Sequence, residues 1–339
     1  MRSLYITKYG APEVLQVRED PDPEPGPGEV RIRVRAAGLN FADVMARMGL
    51  YPGAPKAPCV VGYEVAGEVD KLGSGVSGVA AGDRVVALTR FKGQASAVIV
   101  PADQARRMPD GMTMEEGAAI PVNYLTAYHM IHGTGVLHPG SRVLVHMAAG
   151  GVGIAAIQLF RRVPGVTIFG TASAGKHEFL RQEGVHHPID YHTTDYEAEV
   201  QRLTGGKGLH LVLDPLGGKD FKKGYRLLAP TGRLVLFGAS NVVTGSKRNL
   251  FKAAREMMRM PRFGAVDLMS KNKAVAGVDL GALWSERDLL SRELEEILSL
   301  YRKGEVKPHV GRSFKLEEGA DAHRFMQERK NVGKLVLIP

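Results

Sequence analysis

A chain of 339 residues exceeds the size at which a single core keeps growing, so two domains are expected. With 44% hydrophobic and 24% charged residues and no low-complexity stretch, the composition excludes a disordered or fibrous protein. The net charge of +9 favours an anionic ligand or surface, but the basic residues are dispersed and lack zinc-finger spacing or an RNP-like aromatic motif, which sets nucleic acid aside.

The single cysteine, Cys59, rules out an internal disulfide and a Cys-rich zinc site, and fits a reducing, cytoplasmic compartment. The N-terminus runs directly into strand-like sequence without the apolar segment of a signal peptide. Extended, Pro-rich sequence from Pro21 to Pro27 leads to Glu29–Ala36, whose alternation predicts a strand with one wet face. Val60–Val69, Asp83–Leu88 and Ala95–Val100 predict further strands, with Gly73, Gly75, Gly78 and Gly82 at the turns. Thr113, with Glu116 three residues on, reads as a helix cap.

From about Asn123 the pattern alternates helix and strand. Arg142–Met147, Val166–Thr171, Leu209–Leu213 and Arg233–Phe237 are short apolar strands of a parallel sheet covered on both faces, and Lys273–Leu280 offers one more. The tail begins with a helix over Asp288–Arg302 and ends in short strands at Val310–Leu316 and Val332–Ile338. These divisions predict a β-rich module of residues 1–122 and 286–339, interrupted by an α/β unit over 123–285.

Val143–Phe160 is apolar enough to raise a membrane span, but its centre favours strand, turn and helix. There the strand candidate Arg142–Met147 meets Ala148-Ala149-Gly150-Gly151-Val152-Gly153 and then helical sequence. In that setting Gly150 lets backbone approach a pyrophosphate, Gly153 lets the helix pack closely, and the helix start receives the phosphate charge. Ala148 replaces the first glycine of GxGxxG; the flanking order compensates. An acidic residue usually ends the second strand of an NAD site, whereas this chain has Ala172-Ser173-Ala174-Gly175-Lys176. Ser173 and Lys176 suit the 2′-phosphate of NADPH, and Tyr191 suits the adenine or the same phosphate. Gly238 and Ser240, just past a strand end, are expected to border the nicotinamide.

Taken with Gly38–Arg47, Gly49-Leu50-Tyr51, Val122–Tyr128, Leu144–Gly153, Pro188–Tyr196, Asp214–Gly218 and Asn331–Lys334, the sequence resembles the zinc-independent medium-chain dehydrogenase/reductases of the quinone oxidoreductase group, especially its VAT-1-like members. The resemblance implies a GroES-like catalytic domain with an inserted Rossmann-like domain, NADPH as cofactor, and often a homodimer joined at the sheet edge. It implies hydride transfer to a quinone or α,β-unsaturated carbonyl. Asn40, Tyr51 and Tyr63 are then candidates to hold the acceptor oxygen, with Thr126 near the nicotinamide. Asn40 and Tyr63 stand near positions where zinc relatives carry Cys or His, and Glu64 alone cannot build a three-ligand zinc site, so no catalytic metal is expected. Asp43 and Glu64 serve equally as anchors of backbone turns. Cys59 reads as a small buried hydrophobe, and His186, His187 and His192 as a loop surface.

Residues 247–262 place Lys247, Arg248, Lys252, Arg255, Arg259 and Arg262 beside Leu250, Phe251, Ala254, Met257 and Met258 at helical spacing. Packing of this helix by its Met side is the favoured reading; peripheral contact with an anionic membrane, by a protein that keeps NADPH binding with weak turnover, is the alternative.

Overall fold

The structure is a computed structural model that describes residues 1–243, 245 and 249–339. Two compact units emerge: Met1–Leu125 with Leu280–Pro339, and a second running from 126 to 243 and from 249 to 279.

In the first unit, Arg2–Ile6 pairs antiparallel with Leu15–Glu19 and with Cys59–Val60. A seven-stranded sheet follows the order Val310–Lys315, Lys334–Ile338, Glu29–Leu39, Glu64–Leu72, Arg84–Leu88, Ala105–Arg107, with Ala97–Pro101 also on Glu29–Leu39. Glu29–Leu39 thus pairs with three other strands of the module. Ala97–Pro101 pairs with its first half and the chain's last strand with its second, Leu335 opposite Leu39. On the face that its alternation predicts to be wet, Arg35 is exposed and Glu29 and Arg33 are half-buried; Arg31 alone departs from it. Arg31 is buried, held by the carboxylate of Asp70 on the adjacent strand at 2.9 and 3.1 Å. The run predicted from Val60 to Val69 is broken at Gly62, whose φ of +105° lets the chain touch another segment; a Cβ there would lie 2.5 Å from the Gln94 amide nitrogen. Thr113 and Glu116 form the reciprocal cap that their spacing predicts.

The second unit is built on six parallel strands, in the order His187–Asp190, Thr167–Ala172, Arg142–Val145, Leu209–Asp214, Leu228–Leu236, Ala274–Gly277. Counted along the chain from Arg142, the order is third, second, first, fourth, fifth, sixth. This is the doubly wound arrangement expected of the Rossmann-like domain. Leu144, Phe169, Val212 and Leu234 fill one face of the sheet against Tyr196, Val200 and Tyr225 of the crossover helices. The order in which strands are added reverses between Arg142–Val145 and Leu209–Asp214, which run parallel, and a crevice for a ligand opens beyond the strand ends at such a reversal. Val143–Phe160 divides into strand, turn and helix, and among the described residues no helix is long and apolar enough to cross a membrane.

Candidate cofactor and active site

The turn at the reversal is made almost wholly of backbone. Past the strand Arg142–Val145, Met147 takes a φ of +53°, and Gly150 caps the ten-residue helix Gly151–Phe160 without any side-chain hydrogen bond to the first turn. The amides of that turn are therefore left for an acceptor. Two close approaches explain the glycines. A Cβ on Gly153 would lie 2.4 Å from the Ala148 carbonyl oxygen, and one on Gly150 would lie 3.2 Å from that of Met147. Ala148 fits at the first position because the neighbouring strand gives way: a Cβ on Gly170 would sit 2.9 Å from the Ala148 methyl. Ala148 and Ala149 are buried beneath the turn, while Gly150, Gly151 and Val152 reach its surface. This backbone cradle fits a pyrophosphate.

The second strand ends beside the turn, since the Ala148 amide donates to the Thr171 carbonyl at 3.0 Å. Ala172 pairs in register with Asp190, so Ser173 and Tyr191 are the next residues on adjacent strands. Both are half-buried, as is Lys176 at the end of the 3-10 turn Ala174–Lys176. Ser173 occupies a capping position but its hydroxyl makes no cap bond. The Ser240 hydroxyl reaches the Met147 sulfur at 3.7 Å and its amide donates to the Pro215 carbonyl at 2.8 Å, which brings this loop to the Gly-rich turn. Gly238 lies exposed in the same loop.

A buried polar group beneath the turn is not legible from local patterns. His146 and Asp214 stand on the adjacent central strands, just past the paired Val145 and Leu213. The His146 ring bonds the Thr171 hydroxyl through Nδ1 at 3.0 Å and meets the Tyr196 ring edge-on at 4.7 Å. Burial drives its pKa down to about 3, with the charge of Lys223 adding to the effect, so the imidazole is neutral. Burial pushes the Asp214 carboxyl up to about 7, and the Asp220 charge adds to this. Tyr196 donates to Asp220 at 2.9 Å, and the Asn241 amide caps the other Asp220 oxygen at 3.0 Å.

In the first unit, Tyr51 and Tyr63 come together edge to face at 5.9 Å, and Tyr63 meets Phe91 at 5.4 Å. Phe91 is a member of this aromatic group that sequence reasoning missed. Its φ of +96° belongs to a tight turn, and no periodic signal marks it. Asn40 caps helix Phe41–Arg47, where its amide donates to Asp43 at 2.7 Å. Burial raises the Asp43 carboxyl to about 7 against the opposing hydrogen bond from the Asn40 backbone. Glu64 accepts from Asn40 Nδ2 at 2.8 Å and from the Val122 amide at 2.7 Å, and forms an ion pair with Lys334. Asp43 and Glu64 each accept from a backbone amide, the anchoring role expected of them. Thr126 is buried on helix Pro121–Tyr128, three residues past Asn123.

Three expectations change. Cys59 is half-exposed in a short strand, not buried, because that strand is an edge of the three-stranded sheet. His187 lies in a strand stacked on Phe169 at 4.7 Å, not in a surface loop, because the parallel sheet needs a third strand there. Helix Leu250–Met258 packs by Ala253 and Glu256, not by its Met side: Phe251 is 85% and Met258 78% exposed. Lys247 and Arg248 of that segment lie outside the described residues.

Among the described residues, no group of three or more His, Cys, Asp or Glu side chains is placed to hold a metal ion. Residues 26–125 match the alcohol dehydrogenase GroES-like domain family, and 183–337 a family described as zinc-binding dehydrogenase. The chain is 49% identical to the synaptic vesicle membrane protein VAT-1 homolog of Rattus norvegicus, over 100% of this chain and 84% of that protein. Escherichia coli quinone oxidoreductase complexed with NADPH superposes with a TM-score of 0.88 at 30% identity, covering 100% of both chains. The CurK enoyl reductase does so with 0.85 at 30% identity, covering 99% of this chain and 98% of that one.

Proposed function

Since the chain belongs to the medium-chain dehydrogenase/reductase family, among its VAT-1-like members, we propose that it is an NADPH-dependent reductase of quinones or α,β-unsaturated carbonyls that works without a catalytic metal. The observation that carries this reading is the uncapped backbone cradle of Gly150, Gly151, Val152 and Gly153 at the strand reversal. When bound, the dinucleotide supplies a hydride. The amides of the helix start hold its pyrophosphate, Ser173 and Lys176 take the 2′-phosphate, and Tyr191 covers the adenine. Gly238 and Ser240 border the nicotinamide, with Thr126 near it.

Hydride arriving at the β-carbon of an enone leaves negative charge on the carbonyl oxygen, and a proton from solvent completes reduction at the α-carbon. Asn40, Tyr51 and Tyr63 supply the hydrogen bonds for that oxygen, a role for fixed dipoles that costs little reorganisation. The donor set does not suit zinc. Of the residues at the corresponding positions, Asn40 and Tyr63 are poor ligands, and both oxygens of Glu64 are already engaged by Lys334, Asn40 and Val122. The test is NADPH oxidation with product detection across quinones and enones after chelation of metals. Turnover that survives chelation and prefers NADPH to NADH is expected; cofactor binding with no product from any acceptor would sink the reading.

A second reading has its own observation. Helices Leu250–Met258 and Ala265–Lys271 expose Leu250, Phe251, Met257, Met258, Val266 and Met269, alongside Arg255 and Arg259. Apolar anchors next to guanidinium groups suit an anionic bilayer surface. Sedimentation with phosphatidylserine vesicles, lost in Phe251→Asp/Met258→Asp and absent with phosphatidylcholine, is expected. Equal binding of variant and parent removes this patch as the contact. The homodimer implied by the resemblance belongs to the same proposal, with the edge strand Ala274–Gly277 as its seam.

A further inference from the structure

Four elements far apart in the chain converge on one buried cluster. Asn40 precedes helix Phe41–Arg47, Glu64 opens strand Glu64–Leu72, Asn123 lies on helix Pro121–Tyr128 and Lys334 opens strand Lys334–Ile338; all four side chains are buried. The Lys334 ammonium donates to Glu64 Oε1, to Asn40 Oδ1 at 2.7 Å and to Asn123 Oδ1 at 3.4 Å, so each of its three protons has an oxygen. The backbone clears space for the carboxylate and fixes the approach of the lysine. A Cβ on Gly38 would lie 2.5 Å from Glu64 Oε1, and Gly333, with a φ of +69°, passes so near His309 that a Cβ would lie 2.2 Å from its carbonyl.

The chemistry of the cluster dictates how the Asn40 carboxamide faces. An ammonium only donates and a carboxylate only accepts. Held between them, the amide has its oxygen toward Lys334 and its nitrogen toward Glu64, and the reverse orientation would oppose donor to donor and acceptor to acceptor. One Nδ2 proton is used on Glu64 at 2.8 Å; the second is left to donate elsewhere. The main chain of Asn40 is fixed separately by Asp43, so the lysine and glutamate govern the side chain alone.

We propose that Lys334, acting with Glu64, is a positioning residue for the reduction. Its ammonium selects the orientation of Asn40 in which the second Nδ2 proton is presented to the acceptor oxygen as charge develops there. This rests on the reductase reading of the site.

The test uses Lys334→Met/Glu64→Gln, which removes both charges while keeping volume, next to Lys334→Arg and the parent. In protein labelled with 15N-asparagine, the Asn40 side-chain amide is identified by its loss in Asn40→Ala. The parent and Lys334→Arg are expected to show a widely separated, slowly exchanging pair of Asn40 amide protons, and the double variant a pair drawn in to the separation of free asparagine and exchanging rapidly with water. Its kcat is expected to fall about 10- to 100-fold, with NADPH affinity unchanged and Lys334→Arg recovering most of the loss. An unchanged Asn40 amide in the double variant overturns the proposal, as does a kcat loss that follows NADPH affinity. Should that variant unfold, Lys334→Ala titrated with n-propylammonium replaces it. Return of the wide, slowly exchanging pair with added amine supports positioning, and a folded protein whose amide pair stays at the free-asparagine separation overturns it. A parent that reduces no acceptor defeats the reductase reading, while the amide spectra still decide whether Lys334 orients Asn40.

Discussion

The Gly-rich turn and the Asn40–Lys334 cluster are made of opposite materials. The turn offers main-chain amides and owes its shape to missing side chains, and all the amides it offers lie within a dozen positions of sequence. The cluster offers side chains only, and Asn40 and Lys334 are separated by 294 residues. Charge is treated differently too. The turn leaves positive dipole ends for an incoming anion, whereas the cluster neutralises its own carboxylate with its own ammonium. If the two proposals hold, the cofactor is met by generic backbone and the acceptor's hydrogen bond is set by specific side-chain chemistry.

Substitutions separate the two designs. Glu64→Ala is expected to have the largest effect, because it strands the Lys334 ammonium in the interior. A loss of about 3–5 kcal/mol in urea unfolding is expected, and a loss below about 1 kcal/mol would show that the cluster is solvated. Asp214→Asn tests the buried group under the turn through pH. The Asp214 carboxyl titrates at about 7 in the folded protein against about 3.9 when unfolded. The folded state therefore holds the extra proton between those values, and stability falls as pH rises through that window. His146, lowered to about 3, acts in the opposite sense, adding stability as pH rises from about 3 to its unfolded value near 6.5. Asp214→Asn removes only the falling part, so relative to the parent it gains on the order of 3 kcal/mol between pH 4 and pH 7. Parallel stability curves over that range would remove Asp214 as a titrating group.

Gly153→Val drives a branched side chain against the Ala148 carbonyl. Overpacking of about 1–3 kcal/mol is expected in thermal unfolding, together with loss of NADPH binding by calorimetry; binding that survives would place the cofactor elsewhere. Lys176→Ala is the smallest change. It is expected to weaken NADPH about tenfold, about 1.4 kcal/mol, and to leave NADH unaffected, so equal losses for both would detach Lys176 from the 2′-phosphate.

This contrast also explains what could be read in the sequence. The turn, its helix and the strands on either side are contiguous, so hydrophobic runs and glycine spacing reveal them, and the capping pair Thr113 and Glu116 is visible for the same reason. The tolerance of Ala148 depends on Gly170 in the next strand, which no pattern around Ala148 contains. Lys334 stands in a segment that resembles relatives, yet its partner Glu64 is set by a sheet register, and register is not local. Arg31 misled because alternation reports polarity, not the presence of Asp70 across the sheet. The exposed Met257 and Met258 misled in the reverse direction, since apolar residues at helical spacing ordinarily mark a packed face.

The position of Lys334 also bears on the chain as it is synthesised. Asn40, Glu64 and Asn123 leave the ribosome long before Lys334 does, so for most of translation the carboxylate has no counter-charge and the asparagine nothing to fix its orientation. The cluster is completed only when the strand Lys334–Ile338 is laid beside Glu29–Leu39. A nascent or prematurely terminated chain that ends before this strand contains every strand of the parallel sheet, which lies within residues 142–277, while lacking Lys334. On the proposed role of Lys334, competence for reduction is tied to translation of the strand Lys334–Ile338.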